Sequence, residues 1–131
     1  MYEISAKFSI SSAHFLREYE GKCANLHGHN WKITVHVSGE MLKNNGMLVD
    51  FGELKALMKS VEEELDHKCL NDIDIFKSKN PTAENIAEYI YLRMSRLLVE
   101  SGNGHAAISR VSVFETENCE AVYTPPSPIM S

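Results

Sequence analysis

Apolar and polar residues alternate through two stretches near the N-terminus. Tyr2, Ile4, Ala6, Phe8 and Ile10 share one phase, and Trp31, Ile33, Val35 and Val37 share another. A two-residue period puts each set on one face of a strand. The pattern predicts strands over residues 2–14 and 28–39, joined by a loop from Phe15 to Leu26. Glu40 to Gly46 carries Asn44-Asn45-Gly46, a turn signal. The period then changes. Leu54, Leu57, Met58, Val61 and Leu65 recur at helical spacing, behind Asp50 and Glu53 at capping-box spacing. This helix starts at Asp50 and ends near Asp66-His67. Asn71 to Asn80 reads as loop. Pro81-Thr82 opens a second helix, with Thr82 as N-cap and Ile86, Tyr89, Ile90, Leu97 and Leu98 as its buried side. Gly102 and Gly104 end it. Residues 107–115 and 120–124 read as two further strands. The tail over 125–131 begins Pro125-Pro126-Ser127-Pro128, which cannot continue a sheet and predicts an extended or disordered end.

The order ββααββ predicts an α+β fold, with two helices on one face of a four-stranded antiparallel sheet. Four strands are too few to close a barrel, so both sheet edges would be exposed. Pairing of edges between subunits removes that problem and predicts an oligomer. The 131 residues suit one domain, over 1–124, burying roughly two-thirds of the surface its unfolded chain exposes. The net charge of −5 leaves no basic footprint for nucleic acid, and no apolar run is long enough to span a membrane. Met1-Tyr2-Glu3-Ile4 enters a strand pattern directly, without a signal peptide, which predicts a cytoplasmic protein. Cys23, Cys69 and Cys119 are an odd number without disulfide-scaffold spacing, which fits a reducing compartment.

The candidate chemistry starts with three histidines. His27 and His29 stand two residues apart, in phase with Trp31, Ile33, Val35 and Val37. His14 lies four residues beyond Ile10, on the apolar face of the first strand. A hairpin closing through the intervening loop brings all three together. Three imidazoles on one inward face suit Zn2+, with an open position for water or substrate, which is the catalytic pattern. A bulge at Ser11-Ser12 would turn His14 to the other face, and imidazole also suits iron, copper and nickel. His36 and His105 read as surface residues. Cys23, four residues before His27, is a structural loop cysteine, a fourth metal ligand, or a thiolate base whose pKa a nearby cation lowers. Asp66-His67 is either an acid–base unit, with Asp orienting His, or a histidine favoured by a helix C-terminus. Glu115 is a surface charge at a strand end, or a carboxylate accepting paired N–H bonds from an amino-heterocycle. Cys69 and Cys119 read as packing residues.

These residues fall into motifs: Ser12-Ala13-His14, Cys23-x-x-x-His27-Gly28-His29, Asp50-Phe51-Gly52-Glu53-Leu54-Lys55, Leu65-Asp66-His67, Leu70-Asn71-Asp72, Asn80-Pro81-Thr82-Ala83-Glu84 and Glu115-Thr116. In this order the chain resembles the 6-pyruvoyl-tetrahydropterin synthase family, most closely the bacterial 6-carboxy-tetrahydropterin synthases of queuosine biosynthesis. The resemblance implies the tunnelling fold (T-fold), whose subunits form trimeric barrels stacked as a homohexamer with active sites at subunit interfaces. It implies His14, His27 and His29 as zinc ligands, Cys23 as the catalytic thiol, and Asp66 with His67 as its acid–base partner. Glu115, with Thr116 beside it, would anchor the pterin. The implied substrate is 7,8-dihydroneopterin triphosphate, and the implied products are 6-carboxy-tetrahydropterin, acetaldehyde and triphosphate. Lys22, Lys68 and Lys77 are candidates to meet the triphosphate. Three residues between Cys23 and His27 resemble the queuosine branch, because the biopterin branch has a longer gap. A folate-pathway variant carries glutamate near the cysteine position, which Cys23 argues against. The alternatives are 6-pyruvoyl-tetrahydropterin synthase, which eliminates triphosphate without cleaving the side chain, and a zinc- or pterin-binding protein without turnover.

Overall fold

The alternating segments pair with each other. In the computed structural model, which describes residues 1–127, β1 (Tyr2–His14) and β2 (His27–Gly39) form an antiparallel hairpin. Strands β3 (Ala107–Thr116) and β4 (Cys119–Tyr123) extend it into one antiparallel sheet in the order β1-β2-β3-β4. The sheet's inner face presents Ile10, Trp31, Ile33, Val35, Val37, Val111 and Val113, all buried. Helices α1 (Phe51–Leu65) and α3 (Ala83–Glu100) cover that face, burying Leu54, Met58, Val61 and Leu65 from one and Ile86, Ile90, Met94 and Leu98 from the other. Alternation at period 2 in the strands and 3.6 in the helices thus delivers a single apolar layer between them.

The β1–β2 register runs without a break from Tyr2↔Gly39 to His14↔His27. The bulge that would have turned His14 outward is therefore absent, and His14 stays on the core face. Two irregularities occur elsewhere, between His36 and Val37 and between Phe114 and Thr116.

Three details differ from the sequence expectations. The second strand starts at His27, so His27 is itself in the ladder, opposite His14. The stretch read as loop after Asn71 contains a 3-10 turn at Leu70–Asp72 and a one-turn helix, α2 (Asp74–Lys77), which buries Phe76 completely. Only half of the capping box forms. Asp50 caps α1 by accepting from the N–H groups of Gly52 (2.7 Å) and Glu53 (3.2 Å), but the Glu53 carboxylate accepts from Asn103 Nδ2 (2.8 Å) instead of reaching back. Thr82 caps α3 as expected, accepting from Asn85 N–H. Glu64 on α1 ties the helices together, bonding Arg93 Nη2 and the Tyr89 hydroxyl, each at 2.6 Å. Burial and this carboxylate push the Tyr89 hydroxyl up to about 12.

The outer edge of β1 is not open along its whole length. The chain leaving α1 runs beside it: His67 N–H donates to Ser11 C=O, and Ala13 N–H donates to Lys68 C=O. Unpaired edges remain on the N-terminal part of β1 and on the outer side of β4, among the described residues. No helix among those residues is long and apolar enough to cross a membrane. Pro125, Pro126 and Ser127 carry no regular structure, and Pro128 with the rest of the expected tail lies outside the described residues.

Candidate metal centre and active site

Where β1 and β2 end together, the in-phase positions change from apolar residues to histidines. His14 faces His27 directly across the ladder, and His29 stands opposite Ser12. The three rings lie 4.5 to 5.2 Å apart by centroid and are steeply inclined to one another. Their floor is the buried Trp31, whose ring sits 4.9 Å from His14 and 5.1 Å from His29.

The tautomers follow from the partners. A carbonyl can only accept, so His14 Nδ1–H donates to Pro81 C=O (2.7 Å) and His27 Nδ1–H donates to Asn25 C=O (2.6 Å). That leaves Nε2 of each ring with a free lone pair. Backbone carbonyls commonly orient metal-binding histidines in this way. Among the described residues, His14 Nε2 and His29 Nε2 are buried without a hydrogen-bond partner. Two buried ring nitrogens without partners at one point are costly unless a bound group satisfies them.

Glu115 joins this cluster. It follows Val111 and Val113 in phase on β3, at the irregularity between Phe114 and Thr116. Its Oε1 lies 3.0 Å from His29 Nε2 and 3.9 Å from His14 Nε2, the former without hydrogen-bond alignment. His14, His27, His29 and Glu115 offer ligand atoms all within 4.8 Å of one another. The donor set of three imidazoles and a carboxylate fits a divalent metal of zinc type. Cys23 is not in this group; the carboxylate beside the three imidazoles is that of Glu115.

Burial holds His14 and His29 below the ordinary histidine value of 6.5; for His14 the Pro81 carbonyl and Glu115 oppose the shift, and for His29 Glu115 does. Both rings are therefore neutral, and ready to ligate, at pH 7. The consequence for stability has a definite sign. Below 6.5 the unfolded chain takes up these protons before the folded one, so folding weakens as pH falls through the lowered native values. Chelator-treated protein should accordingly melt at a lower temperature at about pH 5.5 than at about pH 7.5, and bound metal should be released over the same interval. Equal melting temperatures at the two pH values would contradict this assignment.

Asp66 and His67 sit at the end of α1, against the edge of β1. Asp66 Oδ1 accepts from Ser11 N–H (2.8 Å), and Oδ2 lies 2.9 Å from His67 Nδ1. The Ser11 N–H first, and His67 second, hold the Asp66 carboxyl below its usual range against the desolvation that would raise it. His67 adopts the left-handed backbone region (φ +55°), and its side chain is 81 % exposed. Such strain in a non-glycine residue recurs at functional sites. His67 shares an open hollow with His29, Asn30, Ser11, Lys68 and Cys69. The histidine cluster, through His29, and the Asp–His pair, through His67, thus border one depression. Of the candidate lysines, Lys68 lines it, whereas Lys77 pairs with Asp74 (3.1 Å) on α2.

Cys23 lies in a 3-10 turn over Lys22–Ala24 and is half-buried. It is outside both the histidine cluster and that hollow. Thr116 is exposed and pairs with Cys119 at the end of the sheet. Cys69, read as a packing residue, lines the hollow; Cys119 is exposed. His36 is more enclosed than expected, 14 % exposed beneath Glu3, while His105 bonds the Leu48 carbonyl through Nε2. Sequence reasoning missed Ser11 and Pro81, whose backbone groups orient Asp66 and His14.

The chain is similar to known proteins over nearly its whole length. The family model described as 6-pyruvoyl tetrahydropterin synthase matches residues 3–126. The 6-carboxy-5,6,7,8-tetrahydropterin synthase of Synechocystis is 36% identical, with 99% of this chain and 100% of that protein covered. The 6-pyruvoyl tetrahydrobiopterin synthase of Homo sapiens is 34% identical, over 92% of this chain and 90% of that one. The structure of Caenorhabditis elegans 6-pyruvoyl tetrahydropterin synthase superposes with a TM-score of 0.84 at 27% identity, covering 95% and 96% of the two chains.

Proposed function

The chain belongs to the 6-pyruvoyl tetrahydropterin synthase family, and we propose that it is a zinc-dependent lyase acting on 7,8-dihydroneopterin triphosphate. The proposed products are 6-carboxy-5,6,7,8-tetrahydropterin, acetaldehyde and triphosphate, a step that serves queuosine biosynthesis. The observation that carries this reading is the convergence of His14, His27 and His29 on one buried point, with two orphaned Nε2 atoms.

His14, His27 and His29 would hold the zinc. When bound, zinc supplies a Lewis acid that polarises the oxygens of the substrate side chain and acidifies the adjacent C–H bonds. Glu115 lies close enough to the cluster to accept two N–H bonds from the pterin ring while its substrate's side chain reaches the histidines, and Thr116 is its neighbour on the strand. Cys23, as thiolate, takes a proton from the side chain. His67 delivers and receives protons at the exposed end of the Asp66–His67 pair, with Asp66 stabilising its charged form. Lys68 faces the departing triphosphate. We further propose that the unpaired edges of β1 and β4 are covered by neighbouring subunits in a homohexamer, which encloses the exposed His67 in an interface site.

The human relative is nearly as similar as the cyanobacterial one, which keeps a 6-pyruvoyl product as the second reading. The spacing of Cys23 from His27 favours the first. Incubating zinc-loaded protein with 7,8-dihydroneopterin triphosphate and weighing the products separates them. A 6-carboxy-tetrahydropterin mass with released acetaldehyde is the expected result. A 6-pyruvoyl product would move the chain to the other branch, and no turnover by folded, zinc-loaded protein would overturn the enzymatic reading.

A further inference from the structure

We propose that Asn71 and Asn80 are positioning residues that hold the Cys23 loop in register with the metal site. After His14 the chain leaves the sheet, and the loop it enters has little regular structure of its own. Two primary amides replace the missing strand. Asn71 Oδ1 accepts from Phe15 N–H and Asn71 Nδ2 donates to Phe15 C=O, both at 3.0 Å. Asn80 does the same for Arg17, with both bonds at 2.9 Å. Each amide thus exchanges the two bonds that one residue of a neighbouring strand would exchange.

The geometry leads directly to Cys23. Phe15 and Arg17 are two residues apart, so their backbone groups face the same side. Leu16, between them, faces the other side, and its N–H donates to Cys23 C=O (2.8 Å). The clamp on one flank of this short segment therefore sets the cysteine turn on the other.

Both asparagines are themselves held. Asn71 is 4 % exposed in the turn at Leu70–Asp72, just after the bridge between Ala13 and Cys69. The Asn80 carbonyl accepts from Asn85 Nδ2 (2.8 Å) in the first turn of α3, and the next carbonyl, Pro81, orients His14. One segment thus aligns a histidine of the cluster and the loop bearing the thiol. Only a side chain with a donor and an acceptor on one planar group can serve, since a carboxylate loses the donor and leaves a backbone carbonyl unpaired.

The catalytic consequence rests on the proposed role of Cys23, so the test reads the thiol as well as turnover. Asn71→Asp and Asn80→Asp are prepared with metal bound, and alkylation of each cysteine by iodoacetamide is timed by peptide mass. Cys23 should react several-fold faster in both variants while Cys119 keeps its rate and metal content is unchanged. kcat should fall about tenfold to a hundredfold, as expected for misplacement of a reacting group by about an ångström, with KM changed far less. Should Asn71→Asp not fold, Asn80→Asp, at the less buried position, decides alone. Unchanged Cys23 labelling, or a loss of kcat that merely tracks the folded fraction, would overturn the proposal. If a Cys23→Ala protein turned over normally, the role given to the thiol would fail, yet the labelling comparison would still report whether the amides hold its loop.

Discussion

His27→Ala should lose its metal and about 10²- to 10⁴-fold in turnover while remaining folded. The range follows from the several kcal/mol that a Lewis acid contributes, at about 1.4 kcal/mol for each factor of ten. His27 is the informative ligand because it is only half-buried and, among the described residues, its ring hydrogen-bonds only the Asn25 carbonyl beside it. His14→Ala should lose metal equally but also destabilise the fold. Its ring is 1 % exposed, packs on Trp31 and satisfies the Pro81 carbonyl, so truncation leaves a cavity and an unpaired acceptor costing about 1–3 kcal/mol. Elemental analysis beside steady-state kinetics reads both effects. Glu115→Gln separates the two uses of that carboxylate. As a pterin anchor it should retain metal and raise KM; a fall in metal content would instead make it a ligand. Full metal and wild-type turnover in His27→Ala would remove the three-histidine assignment.

The histidine cluster was legible because it extends a period-2 pattern that burial had already imposed on Ile10 and Trp31. His14, His27 and His29 needed only an uninterrupted register to meet, and Tyr2↔Gly39 through His14↔His27 provides one. The phase of Glu115 with Val111 and Val113 was equally visible. Its arrival beside His29 was not, because the irregularity at Phe114–Thr116 depends on how β4 pairs. The helix buried through Phe76 is a single turn, too short to show a period. The partners of Asp66, Asn71 and Asn80 lie 55 to 63 residues away, and local propensity carries no signal over such separations. The same reason explains Glu53: its spacing from Asp50 suits a capping box, but Asn103, in the loop after α3, competes for the carboxylate and wins. The motif residues that bear no metal and no proton, Asn71 and Asn80, acquire a physical role only when the folded loop is seen.

Cys23→Ala should keep its metal and lose about 10²- to 10⁴-fold in kcat, the span of a positioned acid or base. His67→Ala should fall in the same range. Asp66→Asn should fall as far, since with its oxygen on Ser11 N–H the amide presents only an NH2 donor to His67 Nδ1, which fixes the opposite tautomer and no longer stabilises the imidazolium. If the thiol and the imidazole serve one proton relay, Cys23→Ala combined with His67→Ala should be scarcely slower than either alone, because groups that act as a unit are not additive. Multiplying losses would mean two independent steps. Mixing the two single variants tests a different point. Cys23 lies outside the hollow that His67 borders, and His67 projects from the edge of its own sheet, 81 % exposed. A relay joining them across a subunit interface predicts that refolded mixtures of Cys23→Ala and His67→Ala regain activity that neither variant has. Such mixtures would contain some interfaces that pair an intact thiol with an intact imidazole. Persistently inactive mixtures would place both groups of each relay on one chain, and the His67 edge would then need another explanation for its strain.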